Sequence, residues 1–138
     1  MPEEYGGAGL GIMEAAVLAH TISNSGAGFS GASAVHLNLF GPHPIVVFGT
    51  EEQKKRFLPP LIKGEDRACF AVTEPDSGLN TMALKTEAVR DGDNYIINGK
   101  KLWTTTAQTA NKILLITRTS APDTGAPPGK SLTLFYTD

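Results

Sequence analysis

The residues with chemistry to offer lie in two short stretches. One is Phe70-Ala71-Val72-Thr73-Glu74-Pro75-Asp76-Ser77-Gly78-Leu79-Asn80-Thr81, an apolar run that breaks into a Pro/Asp/Ser/Gly turn. Such a strand-to-turn junction exposes backbone N–H groups and can hold the polar edge of a cofactor. The other is Trp103-Thr104-Thr105-Thr106, the only tryptophan followed by a run of hydroxyls. Taken alone, a strand tryptophan more often fills a core, and consecutive threonines are ordinary strand material. The sequence holds no Gly-x-Ser-x-Gly nucleophile turn, no Cys-x-x-Cys, no His-Glu-x-x-His and no Gly-x-x-x-x-Gly-Lys-Ser/Thr loop. His36 and His43 are separated by Pro42, and His20 has no second ligand at helical spacing, so no metal site is predicted. Gly6-Gly7-Ala8-Gly9-Leu10-Gly11 resembles a phosphate-cradling glycine run, but the dinucleotide fingerprint requires a preceding strand, and none is read here.

Composition narrows the classes further. A net charge of −2 over 138 residues offers no basic footprint for nucleic acid or an anionic membrane. Apolar runs such as Ile45–Phe48 and Ile113–Ile116 are far too short to span a bilayer. Met1-Pro2-Glu3-Glu4 lacks the basic start and apolar stretch of a secretory leader. The single cysteine, Cys69, permits no internal disulfide and fits a reducing compartment as a small buried residue.

Two kinds of element must position the two stretches. Ile12, Met13, Ala16, Val17 and Ile22 recur at helical spacing, and Ser23-Asn24-Ser25-Gly26 ends that helix. Ala27–Leu39 is rich in small residues and suits a second, closely packed helix. Gly41-Pro42-His43-Pro44 interrupts it, and Ile45–Phe48 reads as a short helix, with a strand as the alternative. Thr50-Glu51-Glu52-Gln53 reads as a capping box opening a helix with Phe57, Leu58 and Leu61 inward, closed by Pro59-Pro60 and Gly64. From Ala68 the period changes, and strands are predicted at 68–73, 84–90, 94–97, 101–105, 112–117 and 131–136. Asp91-Gly92-Asp93 and Asn98-Gly99 predict hairpin turns in succession. The Pro/Gly/Ser-rich segment Ser120–Lys130 reads as a long exposed connection. The fold class is therefore α+β multidomain: a partial helical domain over 1–66, then a partial antiparallel β-barrel domain over 67–138. The glycine-dense entry loop Pro2–Gly9 reads as flexible. With that loop at one end and a strand at the other, the chain reads as part of a larger protein.

Together the motifs resemble those of the acyl-CoA dehydrogenase family, in its amino-terminal helical and middle β-barrel regions. Pro2-Glu3-Glu4-Tyr5-Gly6-Gly7-x-Gly9-Leu10 is similar to the family's early loop, and Phe48-Gly49-Thr50-Glu51-Glu52-Gln53-Lys54 through Leu58-Pro59 to one of its helices. Ala71-Val72-Thr73-Glu74-Pro75-x-Ser77-Gly78 is similar to its first flavin motif. Gly92-Asp93-x-Tyr95-Ile96-Ile97-Asn98-Gly99-x-Lys101-x-Trp103-x-Thr105 is similar to its second. The resemblance implies FAD as cofactor, held by Phe70, Val72, Thr73, Gly78, Leu79, Trp103, Thr104 and Thr105. Val72 and Thr73 would bond the pyrimidine edge, Trp103 would pack on the ring face away from substrate, and Thr105 would bond near N5. Leu79 would also meet the substrate.

The implied reaction is α,β-desaturation of an acyl-CoA thioester. A glutamate takes the α-proton and the β-hydrogen leaves as hydride to the flavin. That glutamate belongs to a carboxy-terminal helical domain to which no part of this sequence corresponds. Glu74 is not the family's base, so no catalytic residue is assigned and the chain alone is expected to be inactive. The implied partners are an acyl-CoA, an electron-transferring flavoprotein and further copies in a tetramer, in bacterial cytoplasm or mitochondrial matrix. A flavin oxidase or monooxygenase of the same superfamily, or a non-catalytic binding homologue, remain alternatives. Departures concentrate at Gly78-Leu79-Asn80, where the family usually has Gly-Ser-Asp, and at Trp103-Thr104-Thr105-Thr106-Ala107, where it usually has Trp-Ile-Thr-Asn-Gly. Leu79 can offer a phosphate only its backbone.

Overall fold

The computed structural model describes residues 1–120 and 127–138, so the middle of the expected 120–130 connection lies outside the described residues. The chain forms two compact units: Met1–Cys69 with Thr106–Lys112, and Phe70–Thr105 with Ile113–Asp138.

The first unit is helical. Helix α1 (Ile12–Ile22) starts where the Glu14 carboxylate accepts the Gly11 N–H at 2.9 Å. It ends in a single π-turn, Ser23–Ala27, that kinks at Gly26 with φ of 96°. Only glycine adopts that backbone at little cost, so the predicted Ser-Asn-Ser-Gly stop is realised as a kink into α2 (Gly28–Phe40). A Cβ at Gly31 in α2 would lie 3.2 Å from the Ile22 side chain, so the small residue permits the close approach of the two helices. The apolar stripe of α1 is not buried among the described residues, with Ile12 at 83% and Met13 at 70% exposure.

Helix α3 (His43–Phe48) buries Ile45, and α4 (Glu51–Lys63) follows. The capping box is present: the Gln53 N–H donates to Thr50 Oγ1 at 3.2 Å and the Thr50 N–H to Gln53 Oε1 at 2.9 Å. Leu58 and Leu61 are buried. Pro59 and Pro60 do not close α4 as predicted; the helix passes through them to Lys63. Proline φ suits a helix, and the end is set instead by Gly64 at φ of 76°. There the Glu65 and Asp66 N–H groups both donate to the Pro60 carbonyl, at 2.9 and 3.1 Å.

The entry loop is anchored, not flexible. Its backbone closes on itself, with the Gly7 N–H on the Pro2 carbonyl at 2.9 Å and the Gly9 N–H on Met1 at 3.0 Å. Tyr5 is buried and its hydroxyl donates to Glu51 Oε2 at 2.8 Å. That bond to a carboxylate, helped by burial, pushes the Tyr5 phenol up to about 12. Within the same unit Asn111 ties the later segment to the end of the helices. Its Oδ1 accepts the Arg67 N–H at 2.7 Å and its Nδ2 donates to Asp66 at 2.9 Å.

The strands are β1 (Ala68–Ala71), β2 (Glu87–Asp91), β3 (Asn94–Asn98), β4 (Lys112–Arg118) and β5 (Leu132–Thr137). They order as β1-β4-β2-β3 with β5 on β4. Helices before strands is the α+β arrangement expected. Pairs β2/β3 and β4/β5 are antiparallel, but β2 meets β4 in parallel at Glu87 and Arg118, so the sheet is mixed. Arg118 explains that junction. Its N–H donates to the Thr86 carbonyl at 2.7 Å, and its guanidinium reaches the carbonyls of Leu84 and Met82 at 3.0 and 2.7 Å. The 84–86 segment is thus clamped in place of the strand start predicted there.

Gly92-Asp93 makes the expected two-residue hairpin, with Gly92 at φ of 61°. The second predicted hairpin does not form, and 101–105 is not a strand. Trp103 at φ of 58° and Thr106 at φ of 66° break the extended run, although the Leu102 N–H still makes a strand-like bond to the Thr73 carbonyl at 2.8 Å. Gly99 instead serves close packing: a Cβ there would stand 2.6 Å from the Thr86 Cβ. Thr86 is buried, so it must shift within a packed interior to make room. Gly99→Ala is therefore expected to lower unfolding free energy by about 1–3 kcal/mol through overpacking. An unchanged urea midpoint in that variant would show that Thr86 yields.

Candidate functional site

All the sequence-predicted site residues fall in the second unit, and a buried ion pair draws their two motifs together. Glu74 heads a tight turn in which its N–H donates to the Ser77 carbonyl at 2.8 Å and its carbonyl accepts the Ser77 N–H at 3.2 Å. The turn points its carboxylate inward, where it takes the Lys85 N–H at 2.6 Å, the Thr86 N–H at 2.9 Å and Lys101 Nζ at 2.9 Å. The Glu74 and Lys101 side chains are only 4% and 9% exposed. Burial alone would raise the Glu74 acid. The bonds from Thr86, Lys101 and the Lys85 backbone outweigh it and hold Glu74 ionised down to about 2. Lys101 Nζ also donates to the Val72 carbonyl at 3.0 Å.

With the Leu102–Thr73 bond, this pair places the segment leading to Trp103 alongside Val72-Thr73. The sequence pattern missed it: both residues sit inside the motifs, but nothing in their spacing signals a buried contact between residues 27 positions apart. The one available hint was a charged residue, Lys101, between a glycine turn and an apolar pair.

Phe70, in β1, and Val72 and Thr73 just after it are half-buried. Trp103 is 87% exposed on a left-handed backbone that costs a bulky residue on the order of 1 kcal/mol. Thr104 beside it is half-buried and Thr105 is exposed. Gly78 and Leu79 lie past the turn, which the Ser77 hydroxyl closes by donating to the Asn80 carbonyl at 2.7 Å. A Cβ at Gly78 would meet nothing within 4 Å, and Leu79 is fully exposed at 106%. A strained backbone that presents a bare indole, with threonine hydroxyls beside it and open space over Gly78, fits a planar, partly polar ring system.

The relations of the chain agree with that chemistry. Residues 1–65 match the model of the acyl-CoA dehydrogenase N-terminal domain, and residues 69–138 that of the middle domain. An acyl-CoA dehydrogenase of Bacillus subtilis is 37% identical over 125 residues, which is 91% of this chain and 32% of the relative. The acyl-CoA dehydrogenase of Geobacillus kaustophilus superposes with a TM-score of 0.84 at 31% identity, over 100% of this chain and 35% of that one. An acyl-CoA dehydrogenase of Bacillus anthracis complexed with FAD gives 0.83 at 32% identity, over 100% of this chain and 22% of that one. The chain belongs to the acyl-CoA dehydrogenase family. It spans about a third of the length of the curated B. subtilis relative.

Proposed function

We propose that this chain is the flavin- and substrate-binding portion of an FAD-dependent enzyme that desaturates acyl-CoA thioesters between the α and β carbons. The observation that carries it is the meeting of the two motifs in one unit, through the Leu102–Thr73 bond and the Lys101 bridge. Residues 1–66 belong to a helical domain and 67–138 to a β-domain that holds the cofactor. FAD, when bound, supplies the acceptor for the hydride lost in desaturation.

The chain's own residues bind and orient. Phe70, Val72 and Thr73 offer one wall with backbone and hydroxyl donors, and Trp103, Thr104 and Thr105 offer the other, with the exposed indole as a flat platform. Donors fixed in advance favour the form of a ring that gains negative charge. Gly78 leaves room, and Leu79 presents an apolar side chain to the acyl-CoA while its backbone serves a phosphate. Glu74 is not the base: its carboxylate is buried, ionised and committed to backbone and ammonium donors. No catalytic residue is assigned to this chain, which by itself is expected to be inactive. An electron-transferring flavoprotein as acceptor, a tetrameric assembly, and a place in bacterial cytoplasm or mitochondrial matrix belong to the same reading. No helix among the described residues is long and apolar enough to cross a membrane.

Trp103→Ala tests the assignment. The variant should retain flavin about tenfold more weakly, as expected for loss of a ring-on-ring contact of about 1–1.5 kcal/mol. Equal flavin content after dialysis of the two proteins would sink it.

A further inference from the structure

Lys101 does something that an ordinary ion pair does not require. Its ammonium bridges the Glu74 carboxylate and the Val72 carbonyl, at 2.9 and 3.0 Å, with its side chain 9% exposed. The Val72 carbonyl and the Thr73 N–H are the two ends of one peptide group. A cation on the oxygen draws electron density through that amide and makes its N–H a stronger donor. The Thr73 carbonyl, the next along the chain, is meanwhile tied to the Leu102 N–H at 2.8 Å, so the peptide is fixed from both sides. Low exposure keeps water from screening the effect.

We infer that Lys101 is a positioning residue for the flavin, locking the Val72–Thr73 peptide and polarising its N–H toward the cofactor's electron-accepting ring. Glu74 is the counter-charge that lets the ammonium stay buried, and its own clasp on the Lys85 and Thr86 N–H groups keeps it from following Lys101 toward solvent. A neutral pair would preserve packing while leaving the Thr73 N–H an ordinary donor. This rests on the flavin reading above.

The test compares Lys101→Met, the double variant Glu74→Gln/Lys101→Met and Lys101→Arg in the FAD-loaded protein, reading urea stability and flavin midpoint potential separately. Lys101→Met should lose stability, and the double variant, with no charge left buried, should regain most of it. Both should nevertheless lose about tenfold in preference for reduced over oxidised flavin, a midpoint about 30 mV lower for a two-electron couple. Lys101→Arg keeps the cation and should hold the potential. A double variant whose potential matches the unaltered protein makes the pair merely structural and overturns the inference. So does a drop in Lys101→Arg, which also serves if the double variant does not fold. Failure of the flavin reading shows differently: the unaltered protein takes up no FAD, or Trp103→Ala retains it fully.

Discussion

Glu74→Ala is expected to be the most damaging of the substitutions considered, costing about 3–5 kcal/mol of unfolding free energy. The cost does not come from losing a favourable pair. Exposed ion pairs, such as Lys85 with Asp76 at 2.8 Å and 73% and 67% side-chain exposure, contribute little. In the alanine variant the Lys101 ammonium stays buried with only the Val72 carbonyl for company, and the Lys85 and Thr86 N–H groups lose their acceptor. Each unsatisfied buried donor adds about 1–3 kcal/mol of desolvation. Such a loss removes most of the margin of a small folded unit. Chemical denaturation of the variant beside Lys85→Ala, which breaks the exposed pair and should stay within about 0.5 kcal/mol of the unaltered protein, separates the two cases. Equal losses would mean that the interior pair is as well solvated as the surface one.

Acid should then remove the same stabilisation without any mutation. The folded Glu74 carboxyl is held at about 2 against an ordinary value of 4.5. A depressed folded value means that the stabilisation is complete above the unfolded value and is lost as pH falls from about 4.5 through about 2. The difference corresponds to about 3 kcal/mol. Glu74→Gln mimics the protonated side chain, so unfolding free energies of the two proteins should differ by about that amount at neutral pH and converge near pH 2. A gap that stays constant over the whole range would show that the carboxylate charge is not what matters. Glu51 is also depressed, by its bonds from Tyr5 and Lys54, but it is exposed, and water screens its share.

Local structure and the site divide along a physical line. Whatever depends on residues within about one turn was legible in the sequence. Thr50 and Gln53 cap α4 reciprocally because a hydroxyl and an amide three positions apart must face each other's N–H groups. Gly92-Asp93 turns β2 into β3 because glycine takes φ of 61° freely. The two motifs at Val72-Thr73 and Trp103–Thr105, and through them the family, were equally plain in the order of residues.

Where local propensity competes with distant partners, the sequence alone misled. Trp103-Thr104-Thr105 carries strand propensity, yet Trp103 sits at φ of 58° and no ladder forms there. Pro59 and Pro60 signal a stop, yet α4 continues to Gly64. The entry loop looks free until Tyr5 finds Glu51, 46 positions away. Glu74 and Lys101 each look like solvated charges in their own neighbourhoods. Only the fold, by bringing a turn, a clamped 85–86 segment and the residue before Leu102 to one dry point, makes them a pair. Residue order determined the family and the parts of the proposed flavin site. Tertiary structure decided how those parts are joined, because a buried charge is stable only where long-range packing supplies its partner.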